Sequence, residues 1–308
     1  MPNYHICFTS HKEVMYRDEE DMNAGFNSLC SAMYKTDSAC YADAFMSDHH
    51  HGCYRTRKPG ELVRIARISY AKQFNRKYFR HGPLGEEAFF IQEIDGMQHF
   101  LAAVSYVLKN PTHHGVTATP FEYRFSSANC YFRKELGKIP QTHDNLLTHN
   151  QIKLVLPRRA DFDPKWKMGI NGVFIQESVL DVAAVETNFG TAQAFNYYMG
   201  RKSGEDWAQE QERDGNGIAP FTLESMEVPM IKHRASSVAE MLQSEKSRHR
   251  TAAINDMELC KIIDNKIVPR YNKASVYQLS PKEKVEIANQ LYKEFRASSI
   301  QIKRCLVF

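Results

Sequence analysis

The chain has 308 residues, of which 43% are hydrophobic and 25% charged, which excludes collagen-like, coiled-coil and wholly disordered architectures and suggests about two domains. The net charge of +4 does not by itself select nucleic acid as a partner. The sequence has no apolar run of the roughly 20 residues that span a bilayer, no pattern of a signal peptide, and seven scattered cysteines without a C-x-x-C pair. We therefore expect a cytoplasmic protein with reduced thiols and no membrane partner.

The first third of the chain alternates strand-like and helix-like patterns. Strands are predicted at 4–10, 40–46, 50–56 and 88–94, and helices at 18–35, 61–80 and 97–109. The last of these helices is expected to end at Asn110-Pro111, because proline disfavours helical backbone before it. The order β-α-β-β-α-β-α favours an antiparallel α+β domain over a parallel doubly wound sheet.

The rest of the chain is less regular in pattern. We predict a polar, loop-rich stretch at 117–148, a compact unit at 151–201, a linker at 205–220 and a helical region at 236–267. Ser280 and Glu283 then form a capping box with Pro281 at the first helical position, and a second short helix follows at 299–306. This pair of helices resembles a helix-turn-helix, although any helical hairpin has the same pattern. The side chains that would face a DNA groove are Gln301, Lys303 and Arg304.

The basic charge is concentrated in two places. Residues 55–81 carry nine Lys or Arg and one acid, a net charge of +8, and residues 266–308 have a net charge of +6. Aromatic residues lie among the bases of the first segment, and such a mixture can neutralise phosphates and stack on unpaired bases. A solvated helix with a packed apolar face gives the same pattern. The candidate DNA-binding residues of this segment are Arg55, Arg57, Lys58, Arg64, Arg67, Lys72, Arg76 and Lys77.

Two short motifs could carry chemistry. On a strand, His49 and His51 project from the same face and His50 from the other, so the outer pair could hold a divalent metal. A surface histidine cluster is the alternative. On a helix, Tyr106 and Asn110 share a face, where a phenol could act as nucleophile and an amide oxygen as ligand. A half-buried core tyrosine and a helix-capping asparagine are the alternative.

Together these motifs resemble those of a known family. The segment 46–54 (MSDHHHGCY) is similar to the histidine-hydrophobe-histidine motif of single-tyrosine HUH transposases, with His50 at the usually hydrophobic position. The segment 106–116 (YVLKNPTHHGV) resembles their nucleophile helix and its exit. The segment 121–127 (FEYRFSS) resembles a stretch that follows in REP-associated tyrosine transposases. The resemblance covers roughly residues 2–130.

The resemblance implies a fold and a reaction. The fold is a ferredoxin-like, RRM-like antiparallel sheet with flanking helices at 1–130, followed by a connecting region at 131–235 and a mostly α-helical region at 236–308. The activity is metal-dependent transposition, an endonuclease and strand-transfer reaction on single-stranded and hairpin DNA. Tyr106 would form a 5′-phosphotyrosine intermediate, and His49, His51 and Asn110 would bind Mg²⁺ or Mn²⁺. The protein would be nucleoid-associated, and it would be a monomer or a homodimer.

Two other functions fit the same residues. The first is a domesticated, catalytically weak regulator that binds hairpin DNA on the same fold. The second is a metal-dependent hydrolase of a small phosphorylated molecule, for which the basic, aromatic segment at 55–81 would have no purpose.

Overall fold

The computed structural model describes residues 1–10, 12–138, 146–157, 159–200 and 254–308. Within these ranges the chain forms one four-stranded sheet in the order β2-β3-β1-β4, and every neighbouring pair is antiparallel. The strands are β1 (Asn3–Thr9), β2 (Ala39–Phe45), β3 (His49–Arg55) and β4 (Phe90–Ile94). Helices flank the sheet, so the predicted antiparallel α+β fold is confirmed.

Three long helices cover the sheet: α1 (Glu19–Lys35), α2 (Pro59–Tyr78) and α3 (Gly96–His113). The side chain of Asp18 caps α1 by accepting a hydrogen bond from the Asp21 amide. Three acidic residues follow in the first turn, where their negative charges interact favourably with the helix dipole. The strands and helices follow one another in the predicted order. Each observed boundary lies within two residues of the predicted one, except at the C-terminus of α3.

The alternation of side chains along the strands gives the sheet two buried faces. Ile6 and Phe8 of β1 pack with α1 and α2 in one core. Ala44 of β2 and Cys53 of β3 pack with α3 in another. Helices α1 and α2 therefore lie on one face of the sheet and α3 on the other.

Helix α3 continues past the position predicted for its end. Pro111 lies inside its last turn, and the helix runs on to His113. The proline lacks an amide, but the amides of His114 and Val116 donate to the carbonyls of Asn110 and Pro111, which stabilises that turn. Asn110 is consequently an interior helical residue and not a cap.

The region after α3 packs back onto it. Short 3₁₀ turns at Pro120–Glu122 and Ser127–Cys130 lead to four helices: α4 (His149–Val155), α5 (Gln176–Val179), α6 (Val182–Phe189) and α7 (Ala192–Gly200). Val185 of α6 and Phe195 of α7 share a core with Val104 of α3. Helix α3 is thus enclosed between the sheet and α6–α7. The predicted linker at 205–220 and the predicted boundary at 235/236 lie outside the described residues.

The C-terminal region is helical, as predicted. It comprises α8 (Asp256–Ile262), a π turn (Ile263–Ile267), 3₁₀ turns at Val268–Tyr271 and Val276–Gln278, α9 (Pro281–Phe295) and α10 (Ser299–Leu306). The predicted capping box at the start of α9 is present. The core of this region includes Val14, which follows β1. The C-terminal helices are therefore docked against the end of the sheet.

The cysteines and the hydropathy of the helices can also be examined in the structure. All seven cysteines lie in the described ranges, where they are buried and form no disulfide. No helix in the described ranges has the length and apolar character needed to cross a membrane.

Candidate functional site

The three consecutive histidines begin β3, and their side chains alternate as the strand pattern predicts. The rings of His49 and His51 lie on the α3 side of the sheet, with centroids 5.2 Å apart. The ring of His50 lies on the other side, 4.9 Å from that of Phe8 and 4.2 Å from that of Phe45. His50 is thus an aromatic core residue, and its presence does not disturb the pair that flanks it.

Tyr106 and Asn110 of α3 lie against this histidine pair. The ring of Tyr106 meets that of His51 edge-on, with centroids 5.2 Å apart. The Oδ1 atom of Asn110 lies 2.9 Å from Nε2 of His49. Tyr106 is 5% exposed and Asn110 is fully buried. All four residues singled out in the two motifs therefore meet in one buried place between β3 and α3.

Strand β1 contributes two residues that the sequence did not single out. Nε2 of His5 lies 3.0 Å from Nδ1 of His51, and Sγ of Cys7 lies 3.6 Å from Nε2 of His51, within hydrogen-bonding distance for sulfur. The ring of His5 also meets that of Tyr106, with centroids 5.6 Å apart. The alternation of side chains in β1 places His5 and Cys7 on the same face of the strand. Only the register between β1 and β3, which pairs Cys7 with His51, places them beside the site.

Burial favours the neutral form of two histidines of the site, His5 and His51. Burial, with a smaller contribution from His99, lowers the pKa of His5 to about 3. Burial and the neighbouring histidines lower the pKa of His51 well below its ordinary value. Neutral imidazole carries a lone pair, which is the form that binds metal ions.

His49 and Asn110 present the two atoms on which a cation could be held. Its Nδ1–H donates to Oδ1 of Asp48 at 2.7 Å, so a neutral ring presents a lone pair at Nε2. Asn110 presents another lone pair, on Oδ1, 2.9 Å away, while its Nδ2 has no hydrogen-bond partner among the described residues. This separation is that of a hydrogen bond if Nε2 of His49 carries a proton, and it leaves two lone pairs facing one another if Nε2 does not. Adjacent ligands of an octahedral Mg²⁺ ion are about 3 Å apart, so this pair fits one edge of such a site.

His51, the other predicted histidine ligand, is arranged differently. Both nitrogens of His51 have partners within the protein, namely His5 and Cys7. Across the described ranges, no group of three or more His, Cys, Asp or Glu side chains could hold a metal ion. The predicted ligand set contains only two such residues, and its third member is an amide. Metal binding by His49, His51 and Asn110 thus stays a prediction.

The basic residues of α2 are separated from this site by the sheet, because α2 covers its opposite face. Two of them are held within the protein, since Lys77 binds Asp18 and Asp21, and Arg67 donates to the carbonyl of Glu87. The predicted DNA-binding residues of this segment that are solvent-exposed are Arg55, Arg57, Lys58, Arg64, Lys72 and Arg76. Direct binding by these residues stays a prediction.

Of the three residues of α10 predicted to face a DNA groove, two are bound within the protein and one is exposed. The Gln301 amide donates to the Ile254 carbonyl at 2.8 Å and to Oδ1 of Asp256 at 3.0 Å. Arg304 forms ion pairs with Asp48 and Asp256. These two side chains therefore contact buried carboxylates of the protein, and DNA binding by them stays a prediction. Lys303 is exposed.

Comparisons with known proteins add little to this geometry. No family model and no curated protein matches the chain. Among solved structures, one match is to a REP-associated tyrosine transposase bound to a REP hairpin, with 12% identity and a TM-score of 0.38. The match covers 45% of this chain and 82% of that one.

Proposed function

We propose that the protein cleaves and rejoins single-stranded DNA at hairpins, with Tyr106 as the nucleophile. The observation that carries this proposal is the meeting of Tyr106 and Asn110 of α3 with His49 and His51 of β3 on one face of the sheet. Residues about 60 positions apart contribute a phenol, two imidazoles and an amide oxygen to one place. This set suits phosphoryl transfer to a tyrosine.

The reaction is a transesterification. The phenolic oxygen of Tyr106 would attack the phosphorus, form a new P–O bond and displace the 3′-oxygen of the upstream strand. The phenolic proton leaves, the 3′-oxygen gains a proton, and the downstream strand remains attached through a 5′-phosphotyrosine. No external energy source is needed, because one phosphodiester replaces another, and the reverse attack rejoins a strand. A divalent metal held by His49, His51 and Asn110 would polarise the phosphate.

The burial of the nucleophile sets a condition on this reaction. Tyr106 is only 5% exposed, so a phosphate reaches its hydroxyl only after the surrounding side chains move. We therefore expect adduct formation to follow a slow opening step that precedes chemistry.

The decisive experiment detects the covalent intermediate. The full chain is incubated with Mn²⁺ and hairpin oligonucleotides labelled at the 3′ end, because the downstream fragment is the one that stays attached. We expect a labelled protein adduct that is absent from Tyr106→Phe. Tyr34→Phe, which alters a tyrosine on the exposed surface of α1, is the matched control and should form the adduct. An adduct that persists in Tyr106→Phe would refute the assignment.

The burial of Tyr106 also favours a second function, a hairpin-binding regulator that does not cleave. The same experiment separates the two. Hairpin binding without any adduct would establish the regulator. Metal-dependent hydrolysis of a small phosphate ester that survives Tyr106→Phe would instead indicate a hydrolase.

A further inference from the structure

The C-terminal helices contact the candidate site at the turn that joins β2 to β3. Ser47 and Asp48 form this turn, directly before His49. Oγ of Ser47 donates to Oδ2 of Asp256 at 3.2 Å, and the carbonyl of Asp48 accepts from the Ser10 amide at 2.7 Å. The turn is therefore fixed from both sides, by α8 and by the end of β1.

Arg304 of α10 is the cation in this contact. Its Nη1 pairs with Asp48 and its Nη2 with Asp256, so one guanidinium bridges two carboxylates. Both carboxylate side chains are 9% exposed, and that of Arg304 is 23% exposed. Burial alone would lower the pKa of Arg304, but Asp48 and Asp256 raise it, so the guanidinium keeps its charge.

Asp48 uses its two oxygens for two different partners. Oδ2 binds Arg304, and Oδ1 accepts the Nδ1–H of His49. A carboxylate clamped on one oxygen cannot rotate freely, so the other oxygen is held where it meets the imidazole. In the neutral ring this contact places the proton of His49 on Nδ1 and leaves the lone pair of Nε2 toward Asn110.

We propose that Arg304 is a positioning residue of the candidate site, and that it acts on His49 through Asp48. The C-terminal helices thereby complete the site instead of only adding a surface for DNA. The inference deepens the proposed function, since His49 is one of its predicted ligands. It gives Arg304 a role different from the groove contact suggested by its sequence.

The test uses the full chain without DNA. Long-range ¹H–¹⁵N spectra of ¹⁵N-histidine-labelled protein report which nitrogen of His49 is protonated, and the His49→Gln protein identifies its signals. We expect a single Nδ1–H tautomer in the parent protein and loss of that preference in Arg304→Met. Titration with Mn²⁺, followed by electron paramagnetic resonance, is the second measurement. Loss of a residue that orients a ligand typically weakens metal binding 10- to 100-fold, and we expect about that change.

Arg270→Met is the matched control, because Arg270 is an exposed arginine of the same helical region. It should leave both measurements unchanged. If Arg304→Met does not fold, Arg304→Gln decides by the same measurements, since glutamine keeps amide donors but removes the charge. An unaltered His49 tautomer in a folded Arg304 variant would overturn the proposal. Neither measurement involves DNA cleavage, so a failed adduct assay and a failed positioning role are distinguishable.

Discussion

A buried carboxyl group in β2 gives the sharpest test of the energetics of this fold. Asp43 is fully buried, and neither of its carboxyl oxygens has a hydrogen-bond partner among the described residues. Burial raises its pKa from 3.8 to about 7, although the neighbouring Ser127 side chain acts in the opposite direction. The carboxyl is therefore protonated in the folded protein at a pH where the unfolded chain has already lost the proton.

The size and sign of the effect follow from linkage. Below pH 3.8 the group is protonated in both states and adds nothing to the pH dependence of stability. Between pH 3.8 and about 7 only the unfolded chain releases the proton, so the free energy of unfolding falls as the pH rises. A shift of roughly three pH units at 1.36 kcal/mol each corresponds to about 4 kcal/mol. Above pH 7 the whole of this loss persists.

The perturbation is Asp43→Asn, which keeps the shape and removes the titration. We expect the variant and the parent to be about equally stable at pH 4, and the variant to be more stable by up to about 4 kcal/mol at pH 8. Urea unfolding at pH 4, 6 and 8 gives the free energy of unfolding of each protein. The difference between the two proteins removes the contributions of the other titrating groups. Asp37→Asn, in an exposed left-handed position that asparagine tolerates, is the control. A constant difference between parent and variant across this pH range would refute the reasoning.

Three further predictions concern charge and packing. Asp264→Asn leaves the fully buried Arg17 without its ion pair and should lower the free energy of unfolding in urea by about 3–5 kcal/mol. Arg17→Leu should lower it less, because the Asp264 side chain left behind is 19% exposed to water. The reverse order of the two variants would contradict this. His50→Leu should leave adduct yield unchanged. Since burial lowers the pKa of His50 to about 3, the same variant should lose less stability than the parent as the pH falls from 6.5 to 3; equal losses would contradict this. Replacement of three exposed bases of α2 by glutamine should lower the slope of log binding constant against log salt by about two to three, and an unchanged slope would exclude α2 from DNA contact. These three bases are Arg64, Lys72 and Arg76.

Hydrophobic periodicity was sufficient to predict the sheet and its helices. The strands are short and strongly patterned, and the helices carry local signals such as Asp18 before α1 and Ser280 before α9. These signals act within a few residues, so they can be read from the sequence. The predicted end of α3 was wrong because it took into account only the local cost of placing Pro111 in a helix. Hydrogen bonds of the following residues, visible only in the folded chain, compensate for it.

The site was only partly predictable, for a different reason. His49, His51, Tyr106 and Asn110 could be found because each pair is close in sequence and has a defined spacing. His5 and Cys7 join them through strand register, which depends on the whole sheet. The helical pattern of α10 predicted its polar face, but not that Gln301 and Arg304 would meet Asp256. Long-range ion pairs leave no local signature in the sequence.

The contact between Arg304 and Asp48 also sets the order of events during synthesis. These residues are 256 positions apart. At about 5–20 residues per second, a ribosome needs roughly 13–50 s to add that length of chain. The sheet and its histidines can fold in that interval, before Arg304 has been made. On the positioning role proposed for Arg304, His49 reaches its final orientation only after α10 has emerged and docked.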